Sequence, residues 1–272
     1  LFALPSLSDD YHRFVWDGRL IKNGDSPYQY TPSEVPDTLQ QRIDPGGQLI
    51  TGMNSQDYHS IYPPMHQGVF VLSAVVGDDV LESVVAMRLV LLLAEALLIL
   101  SLFKIGSRID RPKAAVLYAF NPLVIIEITG NLHFEGIIAL FLVVGVWAIQ
   151  RKRHLISGIL IGTAAAVKLT PFIYFPAITK YLAPPRKGWG WLFAALLTFG
   201  IAGWWIFPLN EWSRLGTSVE LYFQSFEFNA SFYYLARSAG IAILDYNPIA
   251  TTGWLLPLIG MFVILIISFQ GK

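Results

Sequence analysis

The stretch RKRHLISGILIGTAAAVKLTPFIYFPAITKYLAPPRK, residues 151–187, decides how this chain is threaded. Cations bound it at both ends, Arg151–Arg153 on one side and Lys180, Arg186 and Lys187 on the other. Between them lie two apolar runs, Leu155–Val167 and Pro171–Leu182, divided by Lys168-Leu169-Thr170-Pro171. Lys and Arg gather on the cytoplasmic side of membrane spans, so both ends of the stretch are assigned there and the segment between crosses twice or not at all. A helix over 155–167 reaches only about 20 Å, short of the ~30 Å hydrocarbon core. The spacing therefore predicts a re-entrant or short hairpin at 155–182 with its tip at Lys168–Pro171, which is tolerated where that tip is buried or lines a wet cavity. The alternative is one long tilted helix kinked at Pro171; it would move the later loops to the opposite side and break the charge rule.

Working outward, the other apolar runs are Val80–Phe103, Ala114–Ile128, Gly136–Ile149, Trp189–Leu209 and Gly253–Phe269. The first, fourth and fifth of these match the roughly 20 residues a full span needs. Over the whole chain 54% of residues are hydrophobic and only 14% charged, against about 25% charged in soluble domains. The expected fold is an all-α, polytopic integral membrane helix bundle. The connections Lys104–Lys113, Arg151–Arg153 and Lys180–Lys187 hold ten of the 19 basic residues against one acid, Asp110. Residues 1–79 hold four basic and ten acidic residues, and 210–252 two and four. These two segments are placed outside, as are the turns Thr129–Glu135 and Lys168–Pro171. The organisation expected is an extracytoplasmic loop region at 1–78, a transmembrane bundle at 79–209 with short central helices, a second extracytoplasmic loop at 210–252 and a final span at 253–272. The first residues, LFALP, and the last, QGK, read as cut from a longer chain. Trp204, Trp205 and Trp212 near one boundary, and Trp189 and Trp191 near the other, read as interfacial belts.

A net charge of zero excludes a simple nucleic-acid binder, and the absence of cysteine removes disulfides, thiolate metal sites and a cysteine nucleophile together. The chemistry is sought in the outward polar residues. Asp9 and Asp10, in SDDYHRFVWDGRLIKNGDSPY (8–28), are acceptors at neutral pH and able to take a proton from a hydroxyl nucleophile; the plain reading is an Asp9–Arg13 helix pair with Asp10 capping or solvated. His12 and Arg13 beside them suit an anionic leaving group. Trp16 reads as packing, and Asp17-Gly18 as turn punctuation. In YPPMHQG (62–68) the prolines start a helix, with Tyr62, His66 and Gln67 able to line a site. In NPLVIIEITGNLHFEG (121–136), Glu127, His133 and Glu135 sit at membrane depth, where ionisable groups face a cavity or a partner. His133 and Glu135 lack further ligands at useful spacing, so no metal is expected. Lys168 demands an anion, with Glu127 or Glu135 as the structural partner and a lipid phosphate as the functional one. Arg237, in FEFNASFYYLAR (226–237), is a further phosphate-ligand candidate, next to the sequon Asn229-Ala230-Ser231. Arg88 and Glu95 are expected to interact along one helix face.

Taken in order, an outward DD ahead of R..WDG....G..PY, then YPP..Q, NP with an acid and an H.E turn, and K.TP resemble the bacterial GT-C membrane glycosyltransferases. Within that class the closest resemblance is to the polyprenyl-phosphate-mannose-dependent mannosyltransferases and their domain-of-unknown-function relatives. The resemblance implies a GT-C-like fold with large extracytoplasmic loops in a bacterial cytoplasmic membrane. It implies transfer of a sugar, mannose by this likeness, from a polyprenyl-phosphate donor to a glycan, lipid or protein acceptor, with inversion and without a cofactor. The base of the first outward loop maps onto Asp9 or Asp10, with Asp10 favoured. His12, Arg13, Lys168 and Arg237 would bind the donor phosphate, and Tyr62, Gln67, Glu127, His133 and Glu135 would line the site. The family's acidic turn is often GH.D, whereas this chain has NLHFEG. A transporter or flippase, and a non-catalytic cell-envelope assembly subunit, are the competing readings; the clustering of polar groups at one boundary rather than at the bilayer midplane disfavours the transporter.

Overall fold

The computed structural model describes residues 2–182, 184–204 and 231–270, with Gly216 and Glu220 between the last two. Trp205, Trp212, residues Asn229 and Ala230 of the sequon, and most of the segment 205–230 lie outside the described residues. Every regular element described is helical.

The first helix, α1 (Asp10–Lys22), is buried along most of its length although it is rich in polar residues. Asp10 in its first turn and Arg19 and Lys22 in its last complement the helix dipole. It runs alongside α4 (Pro64–Val76) in the same direction: Phe14 stacks on Phe70 with centroids 4.6 Å apart, and Lys22 Nζ donates to the Ala74 carbonyl at 2.7 Å. Gly18 permits the approach, because a Cβ there would collide with the carbonyl of Phe70. The polar connection between α1 and α4 carries two short helices, α2 (Asp37–Ile43) and α3 (Gln48–Gly52). Asp44 Oδ2 accepts the Leu49 and Ile50 amides at 3.0 Å and so caps α3.

What binds this layer together is Asp17. Fully buried, it accepts from Arg13 Nε at 2.8 Å, Ser60 Oγ at 2.5 Å and Gln67 Nε2 at 2.9 Å. Arg13 Nη1 also donates to the carbonyls of Ser55 and Tyr58, at 3.1 and 2.8 Å. One carboxylate thus ties α1, α4 and the incoming strand of loop into a unit. The helix pair within α1 is Arg13 with Asp17, not Arg13 with Asp9, and Asp17-Gly18 lies inside a helix rather than at a turn.

Helix α5 (Val80–Arg108) begins on a capping box between Asp79 and Glu82 and, at 29 residues, is about 43 Å long. The return segment is broken: α6 (Lys113–Ala119) is followed by α7 (Pro122–Val124) and a π-helical turn, Ile125–Gly130, bent by 48° from α6. Pro122, which has no amide to donate, sits at the break. Arg88 fastens the far end of this segment by donating from Nε to Thr129 O at 2.8 Å and from Nη2 to Gly130 O at 3.3 Å. Glu95 accepts from Tyr118 Oη at 2.9 Å. Arg88 and Glu95 each cross-link α5 to the return segment of the bundle.

Helix α8 (Glu135–Gln150) runs parallel to α5, with Gly136 against the Glu95 carboxylate at one end and Trp147 beneath Lys104 and Arg108 at the other. Helix α9 (His154–Val167) returns against it, Gly145 facing Ile161. The backbone is extended at Lys168 (φ −153°, ψ 142°), which stops α9 there. A 3₁₀ turn, Thr170–Tyr174, leads into α10 (Phe175–Tyr181) and then α11 (Pro185–Trp204). Gly158 lies against Trp191 and Ala194 and Gly162 against Ala195, so α9 and α11 are parallel. Phe172 meets Phe199 while Thr179 meets Gly188, so the segment between them runs the other way. Close packing on glycine and alanine is how helices adhere where lipid removes the hydrophobic drive. Helix α12 (Ser231–Leu244) packs on α13 (Ile249–Gln270), which also meets α10.

Among the described residues two helices are long and apolar enough to cross a membrane, α5 and α13, and the bent α6–α7 segment makes a third if counted as one span. Three full-length spans are expected from the sequence; the run at Trp189–Leu209 is described only as far as Trp204. Helices α4, α8 and α9 are apolar but shorter.

The polar layer meets this bundle through His66, buried at the start of α4. Its ring lies 4.2 Å from that of Phe134, and its Nδ1–H donates to the Val167 carbonyl at 2.5 Å. Burial pushes its pKa down to about 4, with the Val167 hydrogen bond opposing that shift. An unfolded His protonates near ~6.5, so between that pH and 4 the unfolded state binds a proton the folded state refuses. Stability is accordingly expected to fall as pH drops from 6.5 to 4, by roughly 3 kcal/mol at most, and His66→Gln should flatten that portion of the thermal-unfolding profile in detergent. An unchanged slope in the variant would contradict this. Asp17→Ala, which leaves Arg13 buried without its counter-charge, is expected to lose about 3–5 kcal/mol, more than Ser60→Ala at about 1–3 kcal/mol; unfolding midpoints of the two variants give the order.

Candidate active site

The two acids that open α1 have different surroundings. Asp9 is the N-cap residue, yet its side chain makes no capping bond; Oδ1 accepts from Asn54 Nδ2 at 3.2 Å. It also borders a cavity of about 380 Å³ with Tyr11, His12 and residues 5–8. Asp10 occupies the first helical position, half-buried, and its Oδ1 faces Tyr62 Oη at 3.5 Å, at the outer limit of a hydrogen bond. Both carboxylates lie at the N-terminal end of α1, where the helix dipole is positive.

Tyr62 leads from Asp10 to the rest of the cluster. Tyr28 Oη holds its carbonyl at 2.5 Å and its ring stands edge-on to Phe14, 5.0 Å away. His66 is next, 5.5 Å between ring centroids, and His66 feels the charges of both Lys168 and Glu135. Lys168 Nζ and Glu135 Oε1 form an ion pair at 2.5 Å in which both side chains are half exposed. Glu127 is paired with His133 Nδ1 at 2.9 Å and with Asn131 Nδ2 at 3.4 Å. His133 therefore turns to Glu127, and Glu135, two residues on, turns to Lys168. The fold brings Asp10, Tyr62, His66, Glu135 and Lys168 to one end of the bundle through a floor of aromatic rings, Phe14, Phe70 and Phe134. His66, weighed with its neighbours in the sequence, proves more central than Gln67; the signal was its place beside a helix-starting proline pair.

The remaining candidates are distributed differently. Arg13 is 3% exposed and bound to Asp17 and two carbonyls; its Nη2 is buried with no partner among the described residues. Gln67 is fully buried in the Asp17 cluster. His12 packs on Tyr11 and over Gly52, where any Cβ would strike its ring, and burial lowers its pKa against the pull of Asp9 and Asp44. Arg237 lies on α12, whose packing partner is α13. A second cavity, about 410 Å³, is walled by Arg88, Ile125, Thr129 and Asn131 and shares residues 5–7 with the one beside Asp9. Among the described residues no three His, Asp or Glu side chains converge on a common metal-ion position.

Chemically, a half-buried carboxylate with one long hydrogen bond is an available proton acceptor. A half-exposed ammonium paired with a carboxylate is a cation able to exchange that partner for an incoming phosphate.

A family model described as alpha-(1->6)-mannopyranosyltransferase, N-terminal domain, matches residues 1–184. Alpha-(1->6)-mannopyranosyltransferase A of Corynebacterium glutamicum is 27% identical over 184 residues, covering 65% of this chain and 35% of that protein. Its namesake in Mycobacterium tuberculosis is 27% identical over 194 residues, 71% of this chain and 34% of that protein. GPI mannosyltransferase 1 of Eremothecium gossypii is 28% identical over 207 residues, 74% and 43% of the two chains. The chain spans about a third of the length of the first two relatives. No solved structure gives a significant match. The order of the acidic pair, the buried WDG segment and the Glu135–Lys168 turn thus sits within a matched stretch of 184 residues, and the chain belongs to the alpha-(1->6)-mannopyranosyltransferase family.

Proposed function

We propose that this protein transfers a sugar, mannose by family, from a polyprenyl-phosphate donor to an extracytoplasmic acceptor, with inversion at the anomeric carbon. The carrying observation is the placement of Asp10. Its carboxylate is half-buried at the first turn of α1, with only the 3.5 Å approach of Tyr62 among the described residues, at the end of the bundle that also holds the Glu135–Lys168 pair.

In this reading the acceptor hydroxyl attacks the anomeric carbon while Asp10 takes its proton. The bond from that carbon to the phosphate oxygen breaks, and the lipid phosphate leaves with the bonding pair. Lys168 stands at this end with its side chain half exposed, and it would turn from Glu135 to the phosphate as charge grows there. Asp9, held by Asn54, and Glu127 with His133 are assigned to acceptor positioning. Arg13 is assigned to holding α1 rather than to the donor, because it is buried, with Nε bound to Asp17 and Nη1 to the Ser55 and Tyr58 carbonyls. Residues 1–78 form the outer layer in this account, 79–209 the bundle with its hairpin at 155–182, 210–252 a second outer segment and 253–272 a closing span. The basic connections at Lys104–Lys113, Arg151–Arg153 and Lys180–Lys187 face the cytoplasm, which makes the chain a multi-pass protein of a bacterial inner membrane.

Membranes containing the protein, supplied with radiolabelled polyprenyl-phosphate-mannose, are expected to lose about 10²–10⁴-fold in transfer on Asp10→Asn and to keep most of it on Asp9→Asn. Loss in Asp9→Asn alone would exchange the two roles; equal activity in both variants and wild type would remove the acids from the mechanism. Lys168→Ala is expected to reduce transfer by about 10²-fold or more, with partial recovery in Lys168→Arg; full activity in Lys168→Ala would leave the leaving phosphate without its assigned partner.

A further inference from the structure

At the opposite end of α5 and α8 from Asp10, three cations converge on one indole. Lys104 Nζ lies 5.7 Å from the centroid of the Trp147 ring, the Arg108 guanidinium carbon 5.4 Å and the Arg151 guanidinium carbon 5.3 Å. All three side chains are exposed, Trp147 is half-buried, and none of the three cations has a carboxylate partner among the described residues. Lys104 and Arg108 stand four residues apart in the last turns of α5 and Arg151 four residues after Trp147, and the fold brings these two stretches together.

Three like charges around one ring repel one another. The π-face offsets part of that repulsion, and among the described residues no carboxylate lies within ion-pair distance of the three cations to offset the rest. Immediately toward the apolar body of the helices, Leu100, Phe103 and Val146 are exposed. A cationic cup with an apolar wall directly beside it is complementary to a molecule that is anionic at one end and hydrocarbon at the other. Basic pockets between helices on the cytoplasmic side hold anionic lipid head groups for this reason.

We infer that Lys104, Arg108 and Arg151, arranged around Trp147, form a head-group site for one anionic phospholipid of the cytoplasmic leaflet, whose acyl chains lie along the exposed face of α5 and α8. The side of the membrane follows from the topology proposed above, while the site stands apart from sugar transfer. The lipid bridges α5 to the turn after α8 and so fixes their cytoplasmic ends, as Asp17 fixes the layer at the other end.

The test is native mass spectrometry of the detergent-solubilised full protein with phosphatidylglycerol or phosphatidylcholine added. Wild type is expected to retain one phosphatidylglycerol in preference to phosphatidylcholine. The triple change Lys104→Gln, Arg108→Gln and Arg151→Gln is expected to weaken that retention on the order of a hundredfold, and Arg108→Gln alone by about fivefold. The double change Arg186→Gln and Lys187→Gln, elsewhere on the same side, should leave it unchanged. Equal retention by wild type and Arg108→Gln, which removes one exposed side chain and keeps the fold, would overturn the site. So would equal weakening by the Arg186 and Lys187 changes, because the effect would then be one of total charge. Thermal stabilisation of wild type by inorganic phosphate as large as that by phosphatidylglycerol would overturn the lipid as occupant. Activity on sugar donors enters none of these outcomes, so a failure of the transferase reading leaves this test standing.

Discussion

The carboxylate of Asp17 is the constraint on which the polar layer depends. A buried charge is tolerated only when its lone pairs are occupied and a counter-charge is close. Asp17 meets that requirement by drawing in Arg13 from its own helix, Ser60 from the loop and Gln67 from α4. Each partner belongs to a different part of the layer, so satisfying one charge fixes the direction of α1, the path of the loop and the start of α4 together. Tyr62 and His66 lie between Ser60 and Gln67 in the chain, and their positions beside Asp10 and Val167 follow from the same anchoring. A network that breaks at several points when one member is removed gives specificity as well as stability.

Below that layer the solvent changes, and so does the means of cohesion. The helices of the bundle expose large apolar side chains over most of their surface, Leu93, Leu100 and Phe103 on α5 and Phe262 and Ile267 on α13 among them. Where helices touch, the contacts run through Gly136, Gly145, Gly158 and Gly162, as expected when association relies on close approach rather than on escape from water. Polar groups inside the bundle are paired across segments, Glu95 with Tyr118 and Trp191 with Ser157. The layer and the bundle therefore obey different rules, and the candidate site lies at their junction.

Much of this was legible in the sequence because lipid imposes a simple code. Runs of apolar residues marked α5, α8, α9 and α13 to within a few residues, and residues 1–79 stood out by their acids. Other features were not legible, each for a physical reason. Asp17-Gly18 reads as a turn by propensity, and only the tertiary demand for a buried acceptor and a close helix contact keeps it helical. The choice of Glu135 over Glu127 as partner of Lys168 spans 33 residues and carries no spacing signal. The break between α6 and the π-turn is marked by Asn121-Pro122, but a proline alone does not say whether a helix kinks or stops. α5 continues past Phe103 because Lys104 and Arg108 extend to the Trp147 ring while their stems remain along the helix. That Asp9 and Asp10 are adjacent is plain in the sequence; which of them faces Tyr62 required the helix to be placed.

The central claim is that Asp10 and the cationic end at Trp147 lie on opposite faces of the membrane, with the chemistry outside. The chain has no cysteine, so single cysteines report without background. Asp10→Cys and Arg151→Cys variants, expressed in spheroplasts and treated with a membrane-impermeant maleimide before and after permeabilisation, measure the claim directly. The account predicts that the cysteine at position 10 is labelled in intact spheroplasts and the one at 151 only after permeabilisation. The reverse pattern, or labelling of both from the same side, would contradict it.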